Sequence, residues 1–591
     1  MTARGATLAL GLLLASGTVA GRAGAAGGDV LGEVPCPAAE PMGMASGDGL
    51  LWISDLATRS ILKVAPQDGS TLGSLPAVGL MPTGLAWQGD VLYAADRRRD
   101  EIARRRPGQP SDLSPIPYYE RWATGMAHDG QSLWVVDSRN DAVLRLDPID
   151  GTTVASFDAP ASAPTGLAFD GAYLWVADHE SDELYQVDRR DGSVLTILPS
   201  PGPYPSALEV YEGALWVADY QDRKLYRVEL PGQSPYVEDD ERRVRVTYEV
   251  VFRARGAGAI EDLTAYLALP PELPGQHRLG ELELSPKPAR VETDRWGQRV
   301  AVLEVGRLAA GETRSVRWQG DFALYRTRFH LQPAVVDAGA PLPDAAPYLE
   351  DDKKYDLSSK AVTDLVDELL RSEVGTYRRA RALYQHLTEV ITYDRSSGWN
   401  NAATVLERGT GSCSEYTFAL VALLRKAGIP ARYVGAISER GDEASFDDVF
   451  HRWAEAYLPG YGWVPLDANA GQGKPPGERG SFFGGRSNRH VVTTIGGGAS
   501  EYLDWTYNSH ETYRVEGSAE LEVRPIARYR PLGDAGGSKP ALRRAPAAEP
   551  TDPPAAPKTP PSSRPPWWLV FAAVIGGFGL GAVARRRRSS R

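Results

Sequence analysis

The sequence predicts a multidomain protein with an all-β propeller, a β-sandwich, an α+β domain and a C-terminal transmembrane helix. Three observations predict this order: a motif that repeats every 41 residues, alternating strands after it, and then helical periodicity followed by short strands. The chain has 591 residues, which is too long for a single core. Its formal net charge of −11 argues against nucleic acid as a partner.

The repeat consists of a leucine followed by an aromatic residue, with an aspartate at a fixed distance. The pairs begin at Leu51, Leu92, Leu133, Leu174 and Leu215, and the aspartates are Asp55, Asp96, Asp137, Asp178 and Asp219. A period near 41 with short alternating strands is typical of propeller blades. Five blades are therefore predicted over residues 30–232, with a sixth, eroded blade left open. Residues 30–37 align with the strand that starts each unit, so we expect them to complete the last blade.

Two interpretations of the five aspartates are open: they converge on a cation, or each caps the hairpin after its strand. We favour the caps. His128 and His179 stand at unequal repeat positions without an acid–base partner, which disfavours a lyase site. The segment resembles propellers of the NHL, YVTN and virginiamycin-lyase-like groups. Because the propeller stands beside further domains, we interpret it as a binding platform or spacer, with a protein or a glycan as its ligand.

Residues 236–336 predict the β-sandwich. Val244, Val246, Tyr248, Val250 and Phe252 alternate with polar or charged residues, and further alternating runs follow with Pro and Gly between them. Residues 345–530 predict the α+β domain. It has helical periodicity over 360–390 and 401–408, a helix that starts at residue 413, and strands from 488 to 530 that we expect to finish its sheet.

The start of the third predicted helix places a thiol in its first turn. Ser412 is a good N-cap, Glu415 completes a capping box, and Gly428 to Pro430 end the helix. Cys413 therefore lies at the positive end of the helix dipole. That position favours the thiolate, which is the nucleophilic form.

His451 and Asp467 lie on the two arms of a predicted hairpin that turns at Pro459 to Gly462. Folding the arms together brings the two side chains close, so the carboxylate can orient the imidazole. Cys413, His451 and Asp467 then form a nucleophile, a base and an orienting group, which is the arrangement that acyl transfer requires. The Cys413 backbone N–H is the first expected oxyanion donor, and Tyr393, Trp399 and Asn400 are left open as the second.

The motifs Gly-x-Cys-x-Glu-Tyr, His-x-Trp-x-Glu and Gly-Trp-Val-x-Leu-Asp, in this order over 357–469, resemble the transglutaminase-like superfamily. The resemblance implies a papain-like α+β fold and a catalytic triad of Cys413, His451 and Asp467. Thiol chemistry of this kind requires no metal or organic cofactor, and we expect none. The expected substrate is an amide bond of a protein or peptide, with a peptidase or amidase favoured over a cross-linking enzyme. The competing hypothesis is a cell-surface binding or adhesion protein whose enzyme-like domain is inert.

The two ends of the chain predict export and anchoring. Residues 1–25 have the pattern of a secretory signal. Residues 532–566 form a Pro/Ala-rich linker expected to be disordered, 567–584 a single membrane helix, and 585–591 a basic cytoplasmic tail. We therefore expect the folded domains outside the cytoplasm on a single-pass anchor. The end also resembles bacterial sorting signals that are cleaved, so a temporary anchor stays open. Cys36 and Cys413 lie in different predicted domains, and we expect no disulfide between them.

Overall fold

The computed structural model describes residues 28–109, 112–120, 122–231, 235–396, 398–533 and 543–544. They belong to one compact unit, Met1–Pro546. The predicted signal (1–25), membrane helix (567–584) and tail (585–591) lie outside the described residues, as does most of the linker (532–566). Within the described ranges, no helix is both long and apolar enough for a bilayer crossing.

The repeat forms five four-stranded antiparallel sheets, one per blade. Their strands are β1 (Val30–Pro35), β2 (Pro41–Gly47), β3 (Leu50–Asp55), β4 (Ser60–Val64), β5 (Thr71–Pro76), β6 (Pro82–Gln88), β7 (Val91–Asp96), β8 (Glu101–Arg105), β9 (Leu113–Pro117), β10 (Ala123–His128), β11 (Leu133–Asp137), β12 (Ala142–Leu146), β13 (Thr153–Asp158), β14 (Pro164–Phe169), β15 (Leu174–Asp178), β16 (Glu183–Val187), β17 (Val194–Pro199), β18 (Pro205–Tyr211), β19 (Ala214–Asp219) and β20 (Lys224–Glu229).

The five blades close into a ring. The first strands β2, β6, β10, β14 and β18 pack side by side, and β18 returns to β2. The N-terminal strand β1 pairs with β20 and completes the fifth blade, which confirms the predicted closure. Close approach of the inner strands requires glycine: a Cβ at residue 125 would lie 2.5 Å from the backbone nitrogen of Leu167.

The repeated aspartates cap turns, as favoured from the sequence. Asp55 accepts hydrogen bonds from the backbone N–H of Glu40 (2.9 Å) and of Ala57 (3.2 Å). In the fifth blade, Asp219 accepts one from the N–H of Tyr204 at 2.7 Å. The carboxylate of Asp55 thus joins the turn after its own strand to the start of its blade and satisfies N–H groups at both places.

The sandwich begins with long strands. They are β21 (Tyr236–Arg255), β22 (Gly258–Ala268), β23 (Gln276–Arg278), β24 (Glu283–Ser285), β25 (Arg290–Thr293), β26 (Arg299–Ala309) and β27 (Thr313–Phe329). One sheet is built around β27 and β21, and the other has the order β25-β26-β22-β36. The alternating side chains predicted from the sequence meet between these sheets in one apolar core, which includes Val246, Phe252 and Leu303.

The α+β domain contains the helices and the remaining strands. The helices are α1 (Pro333–Ala338), a 3₁₀ turn (Ala346–Tyr348), α2 (Lys360–Leu369), α3 (Thr376–Val390), α4 (Ala402–Arg408), α5 (Cys413–Lys426) and α6 (Pro476–Ser481). The strands are β28 (Thr392–Tyr393), β29 (Thr410–Gly411), β30 (Ala431–Ser438), β31 (Ser445–Asp447), β32 (His451–Leu458), β33 (Gly462–Leu466), β34 (Gly485–Arg486), β35 (His490–Gly496), β36 (Ser509–Gly517), β37 (Glu520–Pro531) and β38 (Arg543–Arg544). Its own sheet has the order β33-β32-β30-β35, and the nearly wholly buried α5 packs against β30 and β32.

The expectation that residues 488–530 finish the sheet of the α+β domain, within a 345–530 boundary, is wrong for most of the segment. Only β35 joins that sheet, by pairing with β30. Strands β36 and β37 pair with β22 and β21 of the sandwich. The physical reason is that β21 and β22 would otherwise be open edges, and strands that return from the end of the chain cover them.

The propeller packs directly on the α+β domain. The N–H of Gly477 in α6 donates to the carbonyl of Pro160, in the connection between the third and fourth blades, at 2.7 Å. Arg378 of α3 pairs with Asp188 of the fourth blade at 3.3 Å. The contact fixes the segment between Asp467 and β34 against a blade.

The close approach of inner strands predicts a strong effect of one methyl group. We expect Gly125→Ala to lower the free energy of unfolding by about 2 kcal/mol, because the new Cβ meets backbone that can move only with the next blade. Gly32→Ala is the matched control, since a Cβ there meets no described atom within 4 Å. Urea unfolding of both variants measures the difference. Equal stability of the two would contradict this account of the ring.

Candidate active site

Helix α5 positions Cys413 as its first residue. Ser412, the N-cap, donates its backbone N–H to Glu415 Oε2 at 2.9 Å, and the capping box predicted from the sequence is present. The thiol therefore sits at the positive end of the helix dipole. Cys413 is only 8% exposed, and like Cys36 it is a free thiol, as expected.

Glu415 also organises the chain around the helix start. Its buried carboxylate accepts the side-chain amide of Asn400 at 2.9 Å and pairs with Arg408 of α4 at 3.1 Å. The Asn400 amide thus already has a partner, which weakens it as the second oxyanion donor. Tyr393 and Trp399, each 42% exposed, keep that role open.

The predicted hairpin is present and brings His451 to Asp467. Strands β32 and β33 pair in a register that sets Ala454 opposite Leu466. His451 and Asp467 follow at the open end, and His451 Nε2 lies 2.6 Å from Asp467 Oδ2. Since Nε2 contacts the carboxylate, Nδ1 is the ring nitrogen left for the sulfur of Cys413. The structure thus brings all three predicted site residues together.

The electrostatics of the three residues favour a charged pair. Burial alone would raise the pKa of the Cys413 thiol, but the hydrogen bond and charge of His451, with the charge and backbone N–H of Arg452, bring that pKa below its usual value. Burial would lower the pKa of His451, but Asp467 and then Cys413 raise it to about 10. Both shifts favour the charged pair, a thiolate beside an imidazolium, over the neutral pair.

His490, on β35, packs on His451 and was not singled out from the sequence. Its ring stacks on that of His451, with centroids 5.5 Å apart, and its Nδ1 lies 3.0 Å from Ser438 Oγ. Burial, followed by the charge of His451, lowers the pKa of His490 to about 3. A neutral ring therefore packs on the charged one and fixes its plane without competing for the proton.

A cavity of about 360 Å³ adjoins His451 and Asp467. Its wall combines apolar rings, Phe450, Trp453 and Phe482, with polar groups such as Ser438 and Asn469. Val449 and Tyr393, at its edge, are 38% and 42% exposed, so the cavity opens to the surface. This size and lining suit a side chain of a substrate.

Arg452 and Tyr507, which interact electrostatically with Cys413, were both missed in the sequence. Arg452 directly follows His451 but is fully buried, and its guanidinium lies 4.2 Å from the centre of the Tyr507 ring. Burial, then the nearby Cys413, raises the pKa of the Tyr507 hydroxyl, so it stays protonated. An alternating strand usually sends its charged residues to solvent, so the pattern gave no signal for Arg452.

The model of the Transglutaminase-like superfamily matches residues 363–468, so the chain carries a transglutaminase-like domain. The uncharacterized protein YebA of Bacillus subtilis (strain 168) is 32% identical over 120 residues, 19% of this chain and 15% of that protein. An uncharacterized protein of Haemophilus influenzae is 28% identical over 131 residues, 18% of this chain and 35% of that protein. The chain thus spans well under two thirds of either relative.

Among solved structures, the virginiamycin B lyase of Staphylococcus aureus is similar to this chain with a TM-score of 0.25 and 17% identity. The similarity covers 33% of this chain and 68% of that one.

The two cysteines predict an internal comparison of reactivity. We expect iodoacetamide at pH 6 to label Cys413 about 100-fold faster than Cys36 or more, because burial raises the pKa of Cys36 to about 11 whereas that of Cys413 lies below its usual value. Mass spectrometry of tryptic peptides over time gives both rates in one sample. If Cys413 and Cys36 were labelled at the same rate, the thiolate of Cys413 and the imidazolium of His451 would not be the favoured forms.

Asp467→Asn should lower the pKa of His451 from about 10, since the charge of Asp467 is the largest contribution that raises it. The imidazolium that stabilises the thiolate is then lost at a lower pH. We expect alkylation of Cys413 at pH 6 to slow and its pH dependence to move, while Asp178→Asn, at a fully buried aspartate of the propeller, changes neither. A pH series of alkylation rates measures this. An unchanged profile in Asp467→Asn would show that the carboxylate does not act on the imidazole.

Proposed function

We propose that this protein is a cysteine peptidase or amidase that cleaves amide bonds of proteins or peptides through a thioester on Cys413. The observation that carries the proposal is the 2.6 Å contact between His451 Nε2 and Asp467 Oδ2, beside a cysteine in the first turn of a buried helix. A thiolate with an oriented imidazolium is the resting state that amide cleavage by cysteine requires.

In the acylation step, the Cys413 thiolate attacks the carbonyl carbon of the amide. The C–S bond forms, and the π electrons move to oxygen, where the backbone N–H of Cys413 is the proposed first donor. The tetrahedral intermediate then expels the amine as the C–N bond breaks, and His451 gives its Nδ1 proton to that nitrogen. The products are a free amine, a thioester and a neutral imidazole.

In the deacylation step, the oxygen of a water molecule attacks the thioester carbonyl while the neutral His451 accepts a proton from that water. The C–S bond breaks, the carboxylic acid leaves, and the thiolate and imidazolium are restored. Asp467 keeps its charge throughout and stabilises the imidazolium each time it forms.

Hydrolysis is proposed over transfer to a lysine amine because water can reach the histidine. The cavity beside His451 opens at its exposed edge, and Ser438 and Asn469 supply polar groups that can bind water. Transfer would need a dry site with an amine pocket.

We also propose that the enzyme works outside the cytoplasm on a membrane anchor. The support is in the sequence: a secretory signal pattern over 1–25 and an apolar segment over 567–584 followed by arginines. The propeller would then present a protein or a glycan to the enzyme domain. The hydrogen bond between α6 and the Pro160 carbonyl supports this, because it joins the two domains directly.

A peptide assay tests the proposed activity with a matched pair of variants. We expect the wild type and Cys36→Ala to cleave a mixed peptide library, and Cys413→Ala to lose at least about 1000-fold in rate because the nucleophile is absent. Mass spectrometry of the products, with and without an added primary amine, separates the reactions. New carboxyl termini or deamidated glutamines indicate hydrolysis, and amine-linked products indicate transfer. Equal activity of Cys413→Ala and the wild type would favour an inert, binding domain.

A further inference from the structure

Arg452 directly follows His451 on β32, and its side chain is buried on the other face of that strand. Successive residues of a strand point to opposite faces, so His451 and Arg452 leave β32 in opposite directions. His451 lines the open cavity, whereas Arg452 lies between β32 and the first turns of α5, with Tyr416 and Thr417. Its relative exposure is 0%.

Four aromatic rings surround the guanidinium. Its carbon lies 4.2 Å from the ring centre of Tyr507, 4.6 Å from Tyr433, 5.0 Å from Trp399 and 5.2 Å from Phe418. Ring faces attract a cation and compensate part of its lost hydration. They carry no net charge, so they do not neutralise it.

The polar contacts of this guanidinium are incomplete. One nitrogen donates to the carbonyl of Trp505 at 2.8 Å, while Nε and the other terminal nitrogen are buried without a hydrogen-bond partner. Over the described residues, no carboxylate oxygen lies within 4.0 Å of Arg452. A buried cation without an anion is costly, so a nearby group that can become an anion is favoured in its charged form.

Arg425 shows how the same domain buries an arginine for structure alone. Its guanidinium also stacks on a ring, Tyr355, at 4.5 Å. It differs in donating to three carbonyls, those of Glu350, Ala431 and Gly497. Arg425 is thus satisfied by neutral acceptors, whereas Arg452 is not.

We propose that Arg452 is a positioning residue whose guanidinium serves as the permanent counter-charge of the Cys413 thiolate. The backbone of the same residue takes part, since both the charge and the N–H of Arg452 act on the sulfur. The inference rests on the proposed function in taking the thiolate as the nucleophile.

The two cations at the sulfur then have different tasks. His451 gives its proton to the leaving amine and is neutral while the thioester exists. Arg452 cannot release its proton and stays charged. When the C–S bond breaks in deacylation, the sulfur departs with the electron pair next to a cation that is already in place. Arg452 therefore favours the departure of the thiolate as well as its resting state.

The test compares Arg452→Met, Arg452→Lys and the control Arg425→Met in the full chain. The readout is the pH at which alkylation of Cys413 by iodoacetamide is half-maximal. We expect this midpoint to rise by about one unit or more in Arg452→Met, which slows labelling about tenfold at any pH well below the wild-type midpoint. Arg452→Lys keeps the charge and should stay within about half a unit of the wild type. Arg425→Met should leave the midpoint unchanged even where it lowers the Tm.

A folded Arg452→Met with the wild-type midpoint would overturn the proposal. If Arg452→Met does not fold, Arg452→Lys decides, because a midpoint raised by a full unit despite the retained charge overturns it equally. Alkylation needs no turnover, so this outcome is independent of the proposed activity. If the midpoint shifts in Arg452→Met but the wild type cleaves no peptide, the role of Arg452 stands and the peptidase proposal is rejected. Full peptide cleavage by the wild type, together with an unshifted midpoint in Arg452→Met, would support the peptidase and reject the role of Arg452.

Discussion

A buried separation of charge is the constraint on which the site depends. The site favours a thiolate, an imidazolium and a carboxylate where Cys413 is only 8% exposed and the side chains of His451 and Asp467 are 15% and 12% exposed. Such charges are stable away from water only when each has a partner at hydrogen-bonding distance. The helix dipole, the hairpin register and the buried arginine each supply part of that compensation. A one-residue slip of β33 against β32 would turn Asp467 to the other face and leave the histidine unpaired.

The sandwich is a scaffold for this site because the chain passes through it twice. Strands β36 and β37 follow the hairpin of β32 and β33 in sequence, and they pair with β22 and β21 of the sandwich. Ile437 of β30 and Val491 of β35, which belong to the sheet of the α+β domain, also enter the sandwich core. The two domains therefore share apolar packing, which makes the sheet that carries His451 part of a larger rigid body.

The sequence predicts those parts of the molecule that local chemistry determines. The 41-residue period predicts the blades because each repeat forms its own sheet, and the capping box of Ser412 and Glu415 predicts where α5 begins because a helix end needs nearby partners. The partners of β36 and β37 lie about 250 residues away in sequence. Alternation of apolar and polar residues predicts that a strand forms, but it does not predict which sheet edge the strand pairs with. Arg452 was missed for the same reason: its burial depends on four rings from separate segments of the chain.

The contact between the propeller and α6 helps to hold Asp467 in position. The backbone N–H of Asp467 donates to the carbonyl of Phe482 at 2.9 Å, so the residue that orients the imidazole is tied to the end of α6. Helix α6 in turn has glycines where it meets the propeller: a Cβ at Gly477 would lie 2.5 Å from the Pro160 carbonyl oxygen, and one at Gly480 would lie 2.8 Å from Val194. This close packing leaves the segment after Asp467 little room to move. The propeller thus acts as one wall of the scaffold that holds the carboxylate, which a flexible tether to a separate binding domain would not provide.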